Sequence, residues 1–452
     1  MTLGAVNLSD LPDIVNRGQC IGCGFCQIEL DRSANSAAVR MAWSDSEEYW
    51  VPSLSEEDES KPDQRICPGA TMDMVALSAR VFGRQPNDPI VGEYSRIASG
   101  YASDDTTRRA AASGGITTAL LSHLFESDAI DAAYCTFGRS PKEGAGRMVR
   151  SARDLKNAAG SHYHPVNFGH SLKELSRSNA RFAFVGLPCE VAAMRELMLV
   201  RRDIAERCVL IIGLFCGGVN RFSGIARYLS YFGVDPVAIR EIDYRDGPWP
   251  GQIRATTDKA EHRIPRIFNN SRWRILRYVI SFQGYWMLPR CRICPDQIAD
   301  FADIALGDPH LARFKDKNSP GHSAIVARTK RGAEVLTEAQ ASGLIALESL
   351  SRDELVQSQG YTLENRRQAA LYAKVAKSLG IISPYLTTYQ GLEQHRTAHQ
   401  TVYAYVDLIK IRVRGWRWLR PLYLPIQVFE YLFLTFSVRI LFERLRKLAK
   451  GV

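Results

Sequence analysis

The chain does not open with a basic segment leading into an apolar stretch, so no secretory signal is expected. It shows no internal repeat and no low-complexity tract. Hydrophobic residues make up 46% and charged residues 23%, which excludes a disordered chain and a collagen-like rod. The basic residues do not fall in a recognition-helix pattern, so the net charge of +10 does not point to nucleic acid. They gather instead between Lys410 and Lys450, beside long apolar runs, where a membrane surface is the better partner. Glu47, Glu48 and the run Glu56–Glu59 make an acidic patch near the start.

What is present is cysteine. The 452 residues suffice for two or three domains and include ten cysteines. Without an export signal these are expected to be reduced thiols in the cytoplasm, serving metal binding, catalysis or packing. Spacing has to decide among those roles.

Residues 1–80 hold a compact cysteine cluster around an acidic, Trp-containing insert, and 81–110 read as a linker-like approach with Pro86 and Pro89. From 111 to 330, apolar strand-like runs (Ala129 to Phe137, Ala180 to Gly186, Val209 to Phe215) alternate with helical runs (Ile116 to Phe125, Glu190 to Leu199). That alternation predicts an α/β core with some α+β mixing. Residues 331–400 read as mostly helical, with amphipathic segments at Arg331 to Ala341 and Ser351 to Gln357.

Cys20, Cys23 and Cys26 are spaced two residues apart and are followed much later by Cys67-Pro68. Such a triplet wraps three corners of a cubane cluster, Gly22 and Gly24 let backbone amides approach the sulfurs, and a remote Cys-Pro closes the fourth corner. This is the bacterial ferredoxin arrangement of a 4Fe–4S cluster with the fourth ligand displaced by an insert. A zinc knuckle is the alternative, although zinc sites generally use two separated pairs.

Four further cysteines stand at the ends of apolar runs or in a pair: Cys189 after Phe184–Pro188, Cys216 after Leu210–Phe215, and Cys291 with Cys294. Two strand-end cysteines beside a Cys-x-x-Cys loop enclose a second cubane. Buried packing thiols at Cys189 and Cys216 are the alternative reading.

These stretches, together with Ala112–Leu121, the turn Gly186–Cys189, Leu214–Cys216, Tyr244–Gly251 and Arg290–Asp308, resemble a known family. It comprises the beta subunits of coenzyme F-420 hydrogenases and dehydrogenases, with the plant 7-hydroxymethyl chlorophyll a reductase as a relative. The resemblance runs from about residue 15 to 340. It implies an oxidoreductase in which FAD exchanges electrons with iron–sulfur clusters. It also implies a second cluster on Cys189, Cys216, Cys291 and Cys294, leaving Cys135 and Cys208 to pack at strand ends. The implied division is a ferredoxin-type module at 1–80 and a flavin-binding core at 81–340. A helical extension at 341–400 and a basic-aromatic tail at 401–452 follow. The implied electron route runs between an external ferredoxin, the Cys20 cluster, the Cys189 cluster, FAD and an unidentified small-molecule or lipid-linked substrate, in either direction. No motif selects a deazaflavin.

The turn Ser113-Gly114-Gly115 before a helix beginning at Ile116 and Thr117 offers free amides and a favourable dipole to a phosphate. Alone it reads equally as a Ser N-cap with glycines for tight packing. With the resemblance it becomes the flavin pyrophosphate site. The second flavin element is Gly160-Ser161-His162, where relatives usually carry a lysine, so any charge at His162 depends on pH. His162 and His164 are the candidate catalytic groups, set against a bland reading as exposed loop histidines. An electron-transfer subunit that only relays to a partner enzyme, and a zinc-stabilised interaction module, are the rival functions.

Pro421 to Phe442 approaches the length of a membrane span, but Pro425, Glu430 and Arg439 interrupt it. Trp416, Trp418, Arg417 and Arg420 precede it and Arg444, Arg446, Lys447 and Lys450 follow it. An interfacial helix is therefore expected, peripheral to the inner face of a membrane. Packing on the core or on a partner subunit is the alternative.

Overall fold

The computed structural model describes residues 11–28, 39–53, 66–138, 144–247, 249–265, 284–314, 319–387, 389, 392, 397–413 and 417–430. The acidic run Glu56–Glu59, Trp416 and the stretch 431–452, with Arg439, Arg444, Arg446, Lys447 and Lys450, lie outside the described residues.

The N-terminal segment begins with the short helix Leu11–Asn16 and runs through the Cys20–Cys26 loop. It continues into an antiparallel hairpin, β1 (Arg40–Ser44) and β2 (Tyr49–Ser53), and then β3 (Met72–Asp73). The core strands are β4 (Arg96–Ala102), β5 (Ala132–Phe137), β6 (Ala145–Val149), β7 (Phe182–Gly186) and β8 (Cys208–Leu214). A separate antiparallel meander is built from β9 (Ile239–Asp246), β10 (Gln252–Thr257) and β11 (Glu261–Pro265). The core is completed by β12 (Ile304–Gly307), β13 (Ser323–Ala327) and β14 (Ile345–Ser349), and β15 (Tyr385–Thr387) pairs with β3.

One eight-stranded sheet has the order β14–β4–β13–β12–β8–β7–β5–β6. Four adjacent strands, β12, β8, β7 and β5, pair parallel, and the pairings outside them are antiparallel. The parallel strands are apolar on both faces, as strands covered on both sides must be. In β7, Phe182 and Phe184 enter one core while Ala183 and Val185 enter the other, the alternation a pleated strand imposes. The helix Pro188–Val200 covers the first face with Val191, Met194 and Leu197. The helix Ile116–Glu126 covers the second with Ile116, Leu120 and Leu124. The expected mixed α/β core is therefore what forms.

The cysteine loop packs on the first face, where Phe25 meets the edge of Phe184 with ring centres 6.1 Å apart. The same apolar cluster takes in Met72 and Leu77, and then Leu363, Leu371, Val375 and Leu408. Packing is thus continuous across residues 80 and 340.

Three details differ from the sequence reading. The linker-like stretch 81–110 contains β4, an interior strand of the sheet. Its apolar pattern is diluted by Ser99 and Gly100, and at Gly100 a Cβ would press on Leu347 of β14 at 2.7 Å. Cys189 does not end a strand but lies in the first turn of the helix Pro188–Val200, after β7 closes at Gly186. Cys135 lies inside β5, not at its end.

Candidate functional site

A cavity of about 520 Å³ opens beyond the carboxyl ends of the four parallel strands. Its wall takes Thr136–Gly138 at the end of β5, Leu187 after β7, Leu214–Val219 at the end of β8 and Leu306–Asp308 at the end of β12. Sheets of this kind bind ligands at that edge, and the volume falls in the range of cofactor sites, roughly 300–1,000 Å³.

Ser113, Gly115, Ile116, Thr117, Gly160, Ser161 and His162 all line this one cavity. The structure thereby joins two turns that are some 45 residues apart in the chain. Gly115, in the left-handed region at φ 80°, caps the helix Ile116–Glu126 with no side-chain cap bond, leaving the helix start facing the cavity. Ser113 is not the N-cap; its hydroxyl donates to the His322 carbonyl. Gly114 is absent from the lining. Its amide donates to Ser323 Oγ at 3.0 Å, and a Cβ there would stand 2.7 Å from the Ser323 amide, so its role is close packing against β13.

His162 and His164 are not exposed loop residues. His164 is 4% exposed, and its Nδ1 lies 3.0 Å from the Tyr244 hydroxyl. The two imidazoles meet edge to face with centres 5.0 Å apart. Burial pushes the His162 pKa below its ordinary value, against the pull of the Gly138 carbonyl that its Nε2 engages. That carbonyl fixes the Nε2–H tautomer. Nδ1 is left with no hydrogen-bond partner among the described residues.

Three polar residues in the wall carried no assigned role in the sequence reading. Arg245 grips Asp308 with Nη1 at 2.9 Å and Nη2 at 3.3 Å from its carboxylate oxygens. Burial would raise the Asp308 carboxyl, but the Arg245 charge outweighs it and holds the group below the carboxylate range. Glu190 is 3% exposed and accepts from the Leu187 amide at 2.7 Å, while burial lifts its pKa to about 7. The signal for Arg245 and Asp308 was their place in the Tyr244–Gly251 and Arg290–Asp308 stretches. For Glu190 it was its place three residues beyond the N-cap Leu187, where an acid reaches back to the cap amide.

The first four cysteines form one electrostatic group. Burial raises all four thiols, and Cys67 adds to the rise at Cys20, Cys23 and Cys26, with Cys20 carried to about 12. Gly22, at φ 72°, donates its amide to Cys20 Sγ at 3.4 Å, the approach expected of it. The second four behave alike. Burial raises each; Cys294 and Cys216 add to the rise at Cys189, and Cys291 and Cys294 add to that at Cys216. The Gly218 amide donates to Cys216 Sγ and the Val219 amide to Cys291 Sγ, each at 3.4 Å. Cys189 and Cys216 thus lie within electrostatic reach of the Cys291–Cys294 pair.

Four partly enclosed thiols, several of which oppose a neighbour's ionisation, need a cationic group before all can be thiolates, which suits each set to a metal cluster. Among the described residues no three His, Cys, Asp or Glu side chains converge closely enough to share one ion. A cubane asks for less convergence, because each thiolate binds a different iron. Cys135 and Cys208 belong to neither group; burial alone raises Cys135 to about 12. Cys135 also reaches the cavity wall.

Residues 97–173 match the family model for the coenzyme F420 hydrogenase/dehydrogenase beta subunit N-terminal region, and residues 179–353 match that for its C terminus. Together the two cover more than half of the chain. The chain is 23% identical over 360 residues to the coenzyme F420-dependent sulfite reductase of Methanocaldococcus jannaschii, covering 76% of this chain but 49% of that protein. The chain thus spans about half the length of that relative. It is 23% identical over 270 residues to the coenzyme F420 hydrogenase subunit beta of Methanosarcina barkeri, covering 57% of this chain and 82% of the subunit. A shorter match, 34% over 103 residues, reaches a subunit of the F420H2 dehydrogenase of Methanosarcina mazei, covering 23% of this chain and 29% of that one. In fold, the chain is similar to a chain of the F420-reducing [NiFe] hydrogenase complex of Methanosarcina barkeri. The TM-score is 0.51 at 21% identity, covering 67% of this chain and 98% of that one.

Proposed function

The chain belongs to the family of coenzyme F420 hydrogenase and dehydrogenase beta subunits, and on that premise we propose that it is an iron–sulfur flavoprotein oxidoreductase. In this reading each thiol set holds a 4Fe–4S cluster, FAD lies in the cavity, and electrons pass between a redox protein such as ferredoxin and an unidentified substrate.

The observation that carries this reading is the makeup of the cavity wall. Cys216, Gly217 and Gly218 stand in the same wall as Ser113, Gly160 and His162. A group held by the two turns therefore has a thiol of the second set as its neighbour. FAD, when bound, would exchange electrons in pairs with a substrate and singly with the clusters.

The chain's own residues do the binding and positioning. The start of the helix Ile116–Glu126 receives a phosphate through its amides. Asp308 holds Arg245 in place at the wall and neutralises it. His162 keeps its proton on Nε2 and presents Nδ1 as an acceptor, so a donor group in the cavity has a partner there. The apolar wall of Leu121, Val166 and Val185 limits water.

Anaerobic purification followed by a visible spectrum, iron and sulfide assay and flavin release tests the reading. About eight irons and one FAD per chain support it. About four irons would leave only one cluster, and zinc with no flavin would overturn the redox reading.

A second reading, a relay subunit without its own substrate, is favoured by the relatives that are named as subunits. A stoichiometric partner copurifying from the native host, with no turnover by the isolated chain, would select it.

A further inference from the structure

Ten large apolar side chains are exposed among the described residues, and eight of them fall between Val402 and Phe429. Scattered single exposures need no explanation, but a concentration of this kind marks an interaction surface. The helix Ala398–Val413 is two-sided. Ala404 and Leu408 face the core and are fully buried, whereas Val402, Tyr405 and Ile409 are exposed at the spacing of one helical stripe. Beyond it Trp418 is 70% and Phe429 65% exposed, with Leu422 and Ile426 between them.

The sequence around this face is basic. Residues 401–452 contain ten Lys and Arg against three Asp and Glu, which accounts for most of the chain's net charge of +10. Among the described residues no helix is long and apolar enough to cross a membrane. Apolar and aromatic side chains on short helices, set in a cationic stretch, have the chemistry of a segment lying in a lipid headgroup layer.

We propose that the exposed apolar residues Val402, Ile409, Trp418, Leu422, Ile426 and Phe429 dock this protein on an anionic lipid surface. The occupant is lipid rather than another protein because the charge complements a negative headgroup layer while the aromatic rings suit the headgroup boundary.

The inner side of the same helix reaches the second thiol set. Asp407 pairs with Arg292, the neighbour of Cys291, and with Lys410 at 3.3 Å. The loop carrying Cys291 and Cys294 therefore lies one helix away from the docking face. Docking would bring that set near whatever electron carrier the lipid surface holds. The docking itself does not depend on the redox reading.

The experiment is cosedimentation of the full-length, cofactor-loaded protein with vesicles of phosphatidylcholine alone or mixed with phosphatidylglycerol. The protein is expected to pellet with the mixed vesicles, less so as salt rises. The double variant Trp418→Ser/Phe429→Ser should lose roughly tenfold in vesicle partitioning. A control, Leu199→Ser/Val237→Ser, alters the other two large exposed apolar residues among the described ones and should partition as the parent does. Circular dichroism and the visible spectrum establish that both variants are folded. No pelleting with the mixed vesicles, or equal pelleting of the Trp418/Phe429 variant, would overturn the proposal. Self-association that the double variant abolishes, without vesicle binding, would overturn it too and make the face a protein interface.

Discussion

The guanidinium of Arg290 lies over the ring of Tyr385, its central carbon 5.5 Å from the ring centre, and Nη2 reaches the Tyr385 hydroxyl at 3.3 Å. Arg290 is 1% exposed, and its Nε and Nη1 find no hydrogen-bond partner among the described residues. A buried cation without a carboxylate is costly unless something negative stands near it. What stands near it is sulfur. Burial raises the thiols of both sets, and the Arg290 charge offsets part of that rise at Cys20 and Cys67 of one set and at Cys189, Cys291 and Cys294 of the other.

If each thiol set holds a cluster, as proposed, replacing Arg290 by Met should make both harder to reduce. Removing one buried charge at an effective dielectric near 20 shifts a one-electron couple on the order of 50 mV to more negative potential. Arg290→Lys should restore most of the shift. A spectroscopically monitored redox titration of the three proteins decides it, and unchanged potentials in the Met variant would sink the idea.

Asp308→Asn should cost about 3–5 kcal/mol, because it strands the buried Arg245 charge. Both partners are largely hidden, with side-chain exposures of 7% for Arg245 and 17% for Asp308, so solvent screens the pair little. Denaturant unfolding measures the loss. Replacing both residues with apolar side chains should recover part of it, since no charge is then left unpaired.

His162 gives the pH dependence a sign. Its folded pKa lies below the ordinary value of 6.5, chiefly through burial, so the unfolded chain binds the proton more readily. The contribution of neutral His162 is fully present above about pH 6.5 and is lost as pH falls through the folded pKa. The thermal midpoint of the parent should fall on acidification below about pH 6.5, and His162→Gln should flatten that part of the curve. Identical slopes in the two proteins would exclude His162 as the cause.

The cysteine sets and the two cavity turns were legible because each depends on residue type at a fixed spacing. The parallel strands β7 and β8 were legible for a related reason, as nearly unbroken apolar runs. The antiparallel half of the sheet was not. β4 carries Ser99 and Gly100, which break an apolar alternation, and β14 is a short strand, Ile-Ala-Leu-Glu-Ser, inside a stretch dominated by helices. Both are strands because β13 and β4 supply their ladder bonds, a long-range cause absent from any local window. Arg290 and the Arg245–Asp308 pair escaped notice likewise. Each lies in a recognisable stretch, but its meaning comes from a partner at least 60 residues away.

Gly114 and Gly115 separate packing from binding. Alanine at Gly114 would force a Cβ to 2.7 Å from the Ser323 amide, with backbone on both sides, so Gly114→Ala should destabilise the fold and lower soluble yield. At Gly115 the nearest atoms would be 3.2 Å away, and the penalty is mainly the left-handed backbone, about 1 kcal/mol. Gly115→Ala should therefore remain folded while retaining less flavin, which fluorescence of released flavin against protein concentration measures.

The second thiol set can be tested against a built-in control. Cys216 and Cys135 both stand in the cavity wall, but only Cys216 interacts electrostatically with Cys189, Cys291 and Cys294. Cys216→Ser should lower iron by about four atoms per chain and leave the Cys20 set loaded, while Cys135→Ser should keep the parent's iron and spectrum. The serine at position 135 costs only the polarity of a hydroxyl in a buried strand, about 1–3 kcal/mol, and removes no ligand. Equal iron loss in both variants would mean that the cavity wall, not the thiol at position 216, governs assembly. Full iron retention in Cys216→Ser would remove that residue from the set and leave Cys189, Cys291 and Cys294 without their fourth partner.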